Sequence, residues 1–233
     1  MALGWMNTLV LVRHGESDAN VASRRAHSKG LEVVDSVRQA DIALSPLGVK
    51  QAVATGKWLT QRFTFHRVFV SSYLRTIQTA KHICQQFTYE AQLRYDERIR
   101  ERENGILDGL THRGIVRKHP EEWKRMQREG TYHYRAPGGE SYPDVALRVQ
   151  SFLLSMRQSF AGKDLLVVTH SNTIWAFRRL LERLDEPSLV KMQRDPFHHV
   201  RNCAIFGYER EDNPPPGAPA MAMRHRGVVA YER

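Results

Sequence analysis

With 233 residues, 41% of them hydrophobic, the chain can bury one sizeable core, or one core with a large insertion. Its formal charge of +10 points to anionic partners, either nucleic acid or small phosphorylated molecules. The basic residues are interspersed with acidic ones instead of lining one helix face, which argues against nucleic acid. Cys84 and Cys203 fall within apolar patterns, so two buried free thiols are expected instead of a disulfide. The first residues lack a basic segment leading into a long apolar run, and no apolar run approaches the roughly 20 residues that span a bilayer. The expectation is a cytoplasmic protein with no membrane partner.

In chain order, the first element is LVLV (9–12), an apolar run rich in β-branched residues that reads as a strand buried on both faces. It ends in Arg13-His14-Gly15. In open α/β sheets the carboxyl end of a strand is where ligands bind. Arg13 offers a fixed fork of donors suited to phosphate, Gly15 permits a sharp turn, and His14 could be a nucleophile. Residues 21–43 have mixed polarity and no sustained period, so they read as an irregular excursion, with room for short helical pieces. Ser45 and Pro46 open the next helix as N-cap and first helical residue, followed by Val49, Ala52, Val53, Gly56 and Leu59 at helical spacing.

RVFVS (67–71) is the second strand, and Leu74, Ile77, Ala80, Cys84 and Phe87 mark the inner side of the helix after it. Strand then helix at these intervals is the signature of a right-handed βαβ sheet. Arg75 falls in that helix's first turn, beside the carboxyl ends of the strands. RIRERENGILDG (98–109) is dense in charge and carries two glycines, which suits a loop. Residues 111–130 are helical in pattern, restarted at Pro120 and stopped by Gly130. A loop follows over 131–139, and Ser141 with Asp144 makes a capping box for an amphipathic helix through Phe160. Residues 93–142 thus read as a mainly helical cap interrupting the α/β pattern.

DLLVVTH (164–170) repeats the opening theme, an apolar strand delivering a histidine at its carboxyl end, with Ser171-Asn172 as helix cap. Two such strands are far more specific than either alone. VRNCAIFGY (200–208) is a further strand candidate, NPPPGAP (213–219) a linker, and RGVVAY (226–231) an edge strand or a free tail. His198-His199 lacks cysteine or carboxylate partners at ligand spacing, so no metal site is expected there.

The ordered motifs RHGESDAN, LSPLGVKQA, SSYLRTIQTA, RIRERENGILDGL, PGGES and VVTHSNT resemble the histidine phosphatase superfamily (phosphoglycerate mutase-like) from Thr8 to about Tyr208. The resemblance implies an α/β fold, a three-layer sandwich with a mostly parallel central sheet and a helical cap insertion. One domain would cover residues 1–210, with a proline-rich linker and tail over 211–233. It further implies a phosphohistidine on His14, with Arg13, Asn20, Arg75 and His170 holding the phosphate. Glu101 matches the family's proton donor in E-x-x-x-G, and Glu103 is its neighbouring competitor. The implied substrate is a small phosphorylated molecule, and no cofactor or metal ion is called for.

Arg24, Arg102, Asn104, His112 and Arg113 are the candidates for the substrate pocket. A phosphatase, a cofactor-dependent phosphoglycerate mutase and a non-catalytic binder of phosphorylated ligands all fit this frame. The mutase reading is weakened by His112 where mutases carry lysine, by Asn104 where they carry tyrosine, and by Arg128-Glu129 where they carry paired arginines. The presence of every residue of the implied machinery weighs against the binder.

Overall fold

The computed structural model describes residues 4–34, 37–212 and 219–231. Its first half runs β1 (Thr8–Arg13), α1 (Asp18–Ser28), α2 (Pro46–Thr60), β2 (Arg67–Val70), α3 (Leu74–Cys84) and β3 (Leu93–Tyr95). Then come α4 (His112–Lys118), α5 (Pro120–His133), α6 (Tyr142–Ser159) and β4 (Asp164–Thr169). The last elements are α7 (Ser171–Leu181), α8 (Glu186–Arg194), β5 (Ile205–Arg210) and β6 (Met221–Val228). The strands form one sheet in the order β3-β2-β4-β1-β5-β6. β1, β2, β3 and β4 are parallel, while β5 and β6 extend the sheet antiparallel beyond β1.

Alternation along the central strands builds two cores. Leu9 and Leu11 of β1 join Leu165 and Val167 of β4 against Val149 and Phe152 of α6 and Ile174 and Phe177 of α7. Val10, Val12, Leu166 and Val168 face the other way, onto Leu59, Ala80 and Ile83 of α2 and α3. Both faces of β1 and β4 are thus covered, which is why their sequences read as unbroken apolar runs. Phe152 sits edge-on to both Phe69 (5.3 Å) and Phe177 (5.8 Å), and truncating such a ring typically costs about 3–5 kcal/mol.

Four local expectations change. Residues 21–43, read as an irregular excursion with room for short helical pieces, begin within an 11-residue helix, α1, held by a reciprocal box: Asn20 N donates to Ser17 Oγ (3.4 Å) and Ser17 N to Asn20 Oδ1 (3.1 Å). Ala26 is its one buried residue among those described, so no apolar stripe advertises this helix. The cap does not begin at residue 93, because Leu93 pairs with Val68 in the sheet and packs on the α2–α3 core; the insertion starts after Tyr95. The sheet also runs past residue 210, since β6 pairs with β5 and buries Met221. The strand expected from Val200 starts at Ile205 because Cys203 turns the backbone at φ 55°. Gly130 does interrupt α5, at φ 76°, with a last turn beyond it. Most of the proline-rich stretch, 213–218, lies outside the described residues.

Candidate active site

Strand register places the two histidines. Arg13 pairs with Thr169, so His14 and His170 leave adjacent parallel strands side by side, and His14 N donates to Thr169 O (2.9 Å). Their ring centroids are 5.2 Å apart at 61°. Both rings are buried. His14 Nδ1 contacts Gly15 O at 2.7 Å. A carbonyl can only accept, so Nδ1 carries the proton and Nε2 keeps its lone pair. Burial, then Arg75 and Arg13, hold the His14 imidazole well below its ordinary value. The ring is therefore neutral at physiological pH.

Gly15 turns tightly enough that a side chain there would overlap the Gly48 backbone at the start of α2, and its N–H donates to Thr79 Oγ1 (3.0 Å). His170 is held through Nε2 by Ser71 Oγ (2.8 Å), which leaves Nδ1 buried without a partner among the described residues. Burial and the same arginines depress its pKa as well. His170 itself is the N-cap of α7, where Ser171 and Asn172 were expected to cap. Arg75 is buried in the first turn of α3 and Arg13 donates to Val200 O (2.7 Å). The structure thus brings Arg13, His14, Arg75 and His170 together. Asn20 lies in the first turn of α1. Its Oδ1 accepts from Ser17 N and from Asn202 Nδ2 (3.0 Å), leaving its amide hydrogens as donors.

Glu101 is on the same side, close enough to both Arg13 and Arg75 to raise their pKa values against burial. Its carboxylate accepts from Arg102 N (2.9 Å) and from Asn172 N (3.4 Å) at the start of α7. Glu103 is committed elsewhere, accepting from Tyr73 Oη and pairing with Arg100 (3.6 Å). Glu101's loop is clamped through its carbonyls: Thr169 Oγ1 donates to Ile99 O and Thr173 Oγ1 to Arg100 O, each at 2.6 Å. Arg148 of α6 reaches the carbonyls of Arg98 (2.7 Å), Arg100 (2.8 Å) and Glu101 (3.1 Å), with Glu140 balancing its charge. Sequence reading missed Arg148, Ser71 and Tyr73. Arg148 had a signal: it lies three residues after Val145 and four before Phe152, on the apolar stripe of α6.

The pocket candidates separate. Arg24 lines a cleft with Arg13 and pairs with the buried Glu16 (2.6 Å). Arg102, stacked on Tyr142 at 4.6 Å, and Asn104 line a cleft on the cap side with Leu107 and Tyr134. His112 and Arg113 are exposed on α4, where His112 packs edge-on to Trp123 (4.4 Å) and Arg113 reaches Gly30 O (3.3 Å).

A sequence profile of the histidine phosphatase superfamily (branch 1) matches residues 9–215. This chain belongs to that superfamily. A 2,3-bisphosphoglycerate-dependent phosphoglycerate mutase of Rhizobium etli is 31% identical over 189 residues, 77% of this chain and 82% of the relative. A 6-phosphofructo-2-kinase/fructose-2,6-bisphosphatase of Caenorhabditis elegans is 29% identical over 202 residues, 82% of this chain but 40% of the relative. Among solved structures, a mycobacterial glucosyl-3-phosphoglycerate phosphatase complexed with VO3 matches with TM-score 0.72 at 25% identity, covering 95% of this chain and 99% of that one. The α-ribazole phosphatase of Shigella flexneri, 19% identical with TM-score 0.74 over 97% and 98% of the two chains, shares the fold. This histidine phosphatase superfamily member thus has both mutases and phosphatases among its relatives. No helix among its described residues is long and apolar enough to cross a membrane.

Proposed function

We propose that the chain is a phosphomonoesterase that works through a phosphohistidine on His14, without a metal ion. The observation that carries this reading is the 2.7 Å contact between His14 Nδ1 and Gly15 O, which commits Nε2 to attack. In the first step Nε2 bonds to phosphorus, the P–O ester bond breaks, and Glu101 gives its proton to the leaving oxygen. In the second, Glu101 takes a proton from water, the water oxygen bonds to phosphorus, and the P–N bond breaks. Arg13, Arg75, His170 Nδ1 and the Asn20 amide offer donors to the equatorial oxygens, which is the main demand phosphoryl transfer makes on a protein. Their charge is the reason no divalent ion is required.

The phosphatase reading is favoured over the mutase by the cap side of the site. His112 packs its ring on Trp123 where mutases place a lysine, and Asn104 stands where they place a tyrosine. The test is phosphate release from a panel of small phosphorylated metabolites, with and without 2,3-bisphosphoglycerate and with and without EDTA. Hydrolysis that survives chelation and needs no bisphosphate is expected. Transfer to a second hydroxyl that depends on the bisphosphate would establish the mutase instead, and turnover lost to EDTA and restored by a divalent ion would refute metal independence. Rapid quench into alkaline detergent should trap an acid-labile phosphoenzyme that His14→Ala lacks.

A further inference from the structure

A second cleft, of about 450 Å³, opens beside the one of about 550 Å³ that Arg13 lines, and His199 and Arg201 belong to both. Among the described residues that line this second cleft there is no carboxylate. Its deepest group is Arg178 of α7, 0% exposed, lying over the rings of Trp175 (4.4 Å) and Phe206 (5.3 Å). Glu182 takes Arg178 Nε (2.8 Å) and one terminal nitrogen (3.2 Å), and Tyr208 Oη (2.8 Å) completes that carboxylate. The other terminal nitrogen of Arg178 is buried without a partner among the described residues, an expensive state for a guanidinium N–H. Buried Nδ1 of His198 is likewise unpartnered.

At the rim, Arg201 and Arg226 form no ion pair among the described residues. A β-bulge sets Arg226 in place: Ile205 pairs with Val228 and Phe206 with Arg226, leaving Gly227 between them at φ 63°. Bulges of this kind re-aim a side chain at a sheet edge. Phe197, beside His198, is 84% exposed. A largely exposed phenyl ring in the same cleft as three guanidiniums suits a ligand that is anionic at one end and flat and apolar at the other.

We propose that this cleft is a second anion-binding site, distinct from the catalytic cluster, which holds a phosphate or carboxylate group against Arg178, Arg201 and Arg226 while Phe197 covers an apolar part of the same ligand. The anion is either the far end of a two-ended substrate, reached along the shared His199–Arg201 ridge, or a separate small effector. The test reads binding, so it stands apart from the catalytic reading. Calorimetric titration of the intact chain with inorganic phosphate should show two ions per chain. Arg226→Gln, at the rim of the second cleft alone and able to fold normally, should weaken the second by about tenfold and leave the first unchanged.

Phenylphosphonate should bind the second site more tightly than phosphate, with the gain lost in Phe197→Ala. A single phosphate per chain, or a second one indifferent to Arg226→Gln, overturns the proposal. The source follows from the same variant. A KM raised for substrates bearing a second phosphate but not for p-nitrophenyl phosphate assigns the site to the substrate's far end. An unchanged KM for both, with second-site phosphate binding lost, assigns it to an effector.

Discussion

Glu101→Gln separates chemistry from structure because the amide keeps the carboxylate's shape and loses its proton. Its carbonyl oxygen can still accept from Arg102 N at 2.9 Å, and only the 3.4 Å contact with Asn172 N is given up. One such bond is worth about 0.5–1.5 kcal/mol. At about 2–4 °C per kcal/mol for a chain of this size, Tm should fall by no more than a few degrees. If Glu101 protonates the leaving group, kcat on an alkyl phosphate should drop about 10²–10⁴-fold, a barrier rise of about 3–5 kcal/mol. The loss should shrink for p-nitrophenyl phosphate, whose leaving group is stable as an anion. Glu103→Gln can keep its amide oxygen as acceptor for Tyr73 Oη and loses only the charge of a half-exposed pair with Arg100, so it should slow both substrates alike and only slightly. Equal losses on both substrates in Glu101→Gln, or leaving-group dependence in Glu103→Gln, would refute the assignment.

His14 and His170 both have folded pKa values below that of an unfolded histidine, so the unfolded chain binds protons that the folded one refuses. The stability they confer is complete above about pH 6.5 and is lost as pH falls from there, at up to about 1.4 kcal/mol per pH unit for each ring. Urea midpoints between pH 7.5 and 5 should show this, and His14→Gln should flatten the slope; an unchanged slope counts against the depressed pKa. Burial pushes both Cys84 and Cys203 up to about 12, so iodoacetamide at pH 8 should label neither until urea is added. Gly48→Ala would overlap the backbone of Glu16, and should cost about 1–3 kcal/mol by chemical denaturation. A fully stable Gly48→Ala protein would show that this approach is looser than drawn.

The two histidine-bearing strands were legible because burial on both faces wrote itself into LVLV and DLLVVT as unbroken apolar runs, each with a histidine at its end. Arg75 and Glu101 were found by resemblance to the family's motifs, since nothing in a lone arginine or a charged loop announces a site. α1 escaped because a helix with Ala26 as its buried residue has no apolar period to read; its visible trace was Ser17 and Asn20 at capping-box spacing. β3 was lost in the cap because three residues, two of them exposed, carry too little alternation. The hydrogen-bond supports, Ser71 for His170 and Arg148 for the Glu101 loop, join residues far apart in sequence, and only the fold reveals such pairs.

The sheet order also governs when His14 and His170 can come together. β1 is bordered by β4 and β5, both supplied after residue 163, so the first strand made is among the last to be paired. During synthesis LVLV is exposed with two open edges, the kind of segment that recruits foreign strands. Closing Thr8 against Asp164 spans most of the chain, which places folding among the slow, non-local cases. His14 N is anchored on Thr169 O, so the placement of His14 and the central sheet are acquired in one event. A chain released before β4 should therefore lose solubility and phosphate binding together, and a chaperone that shields β1 during synthesis would protect both at once.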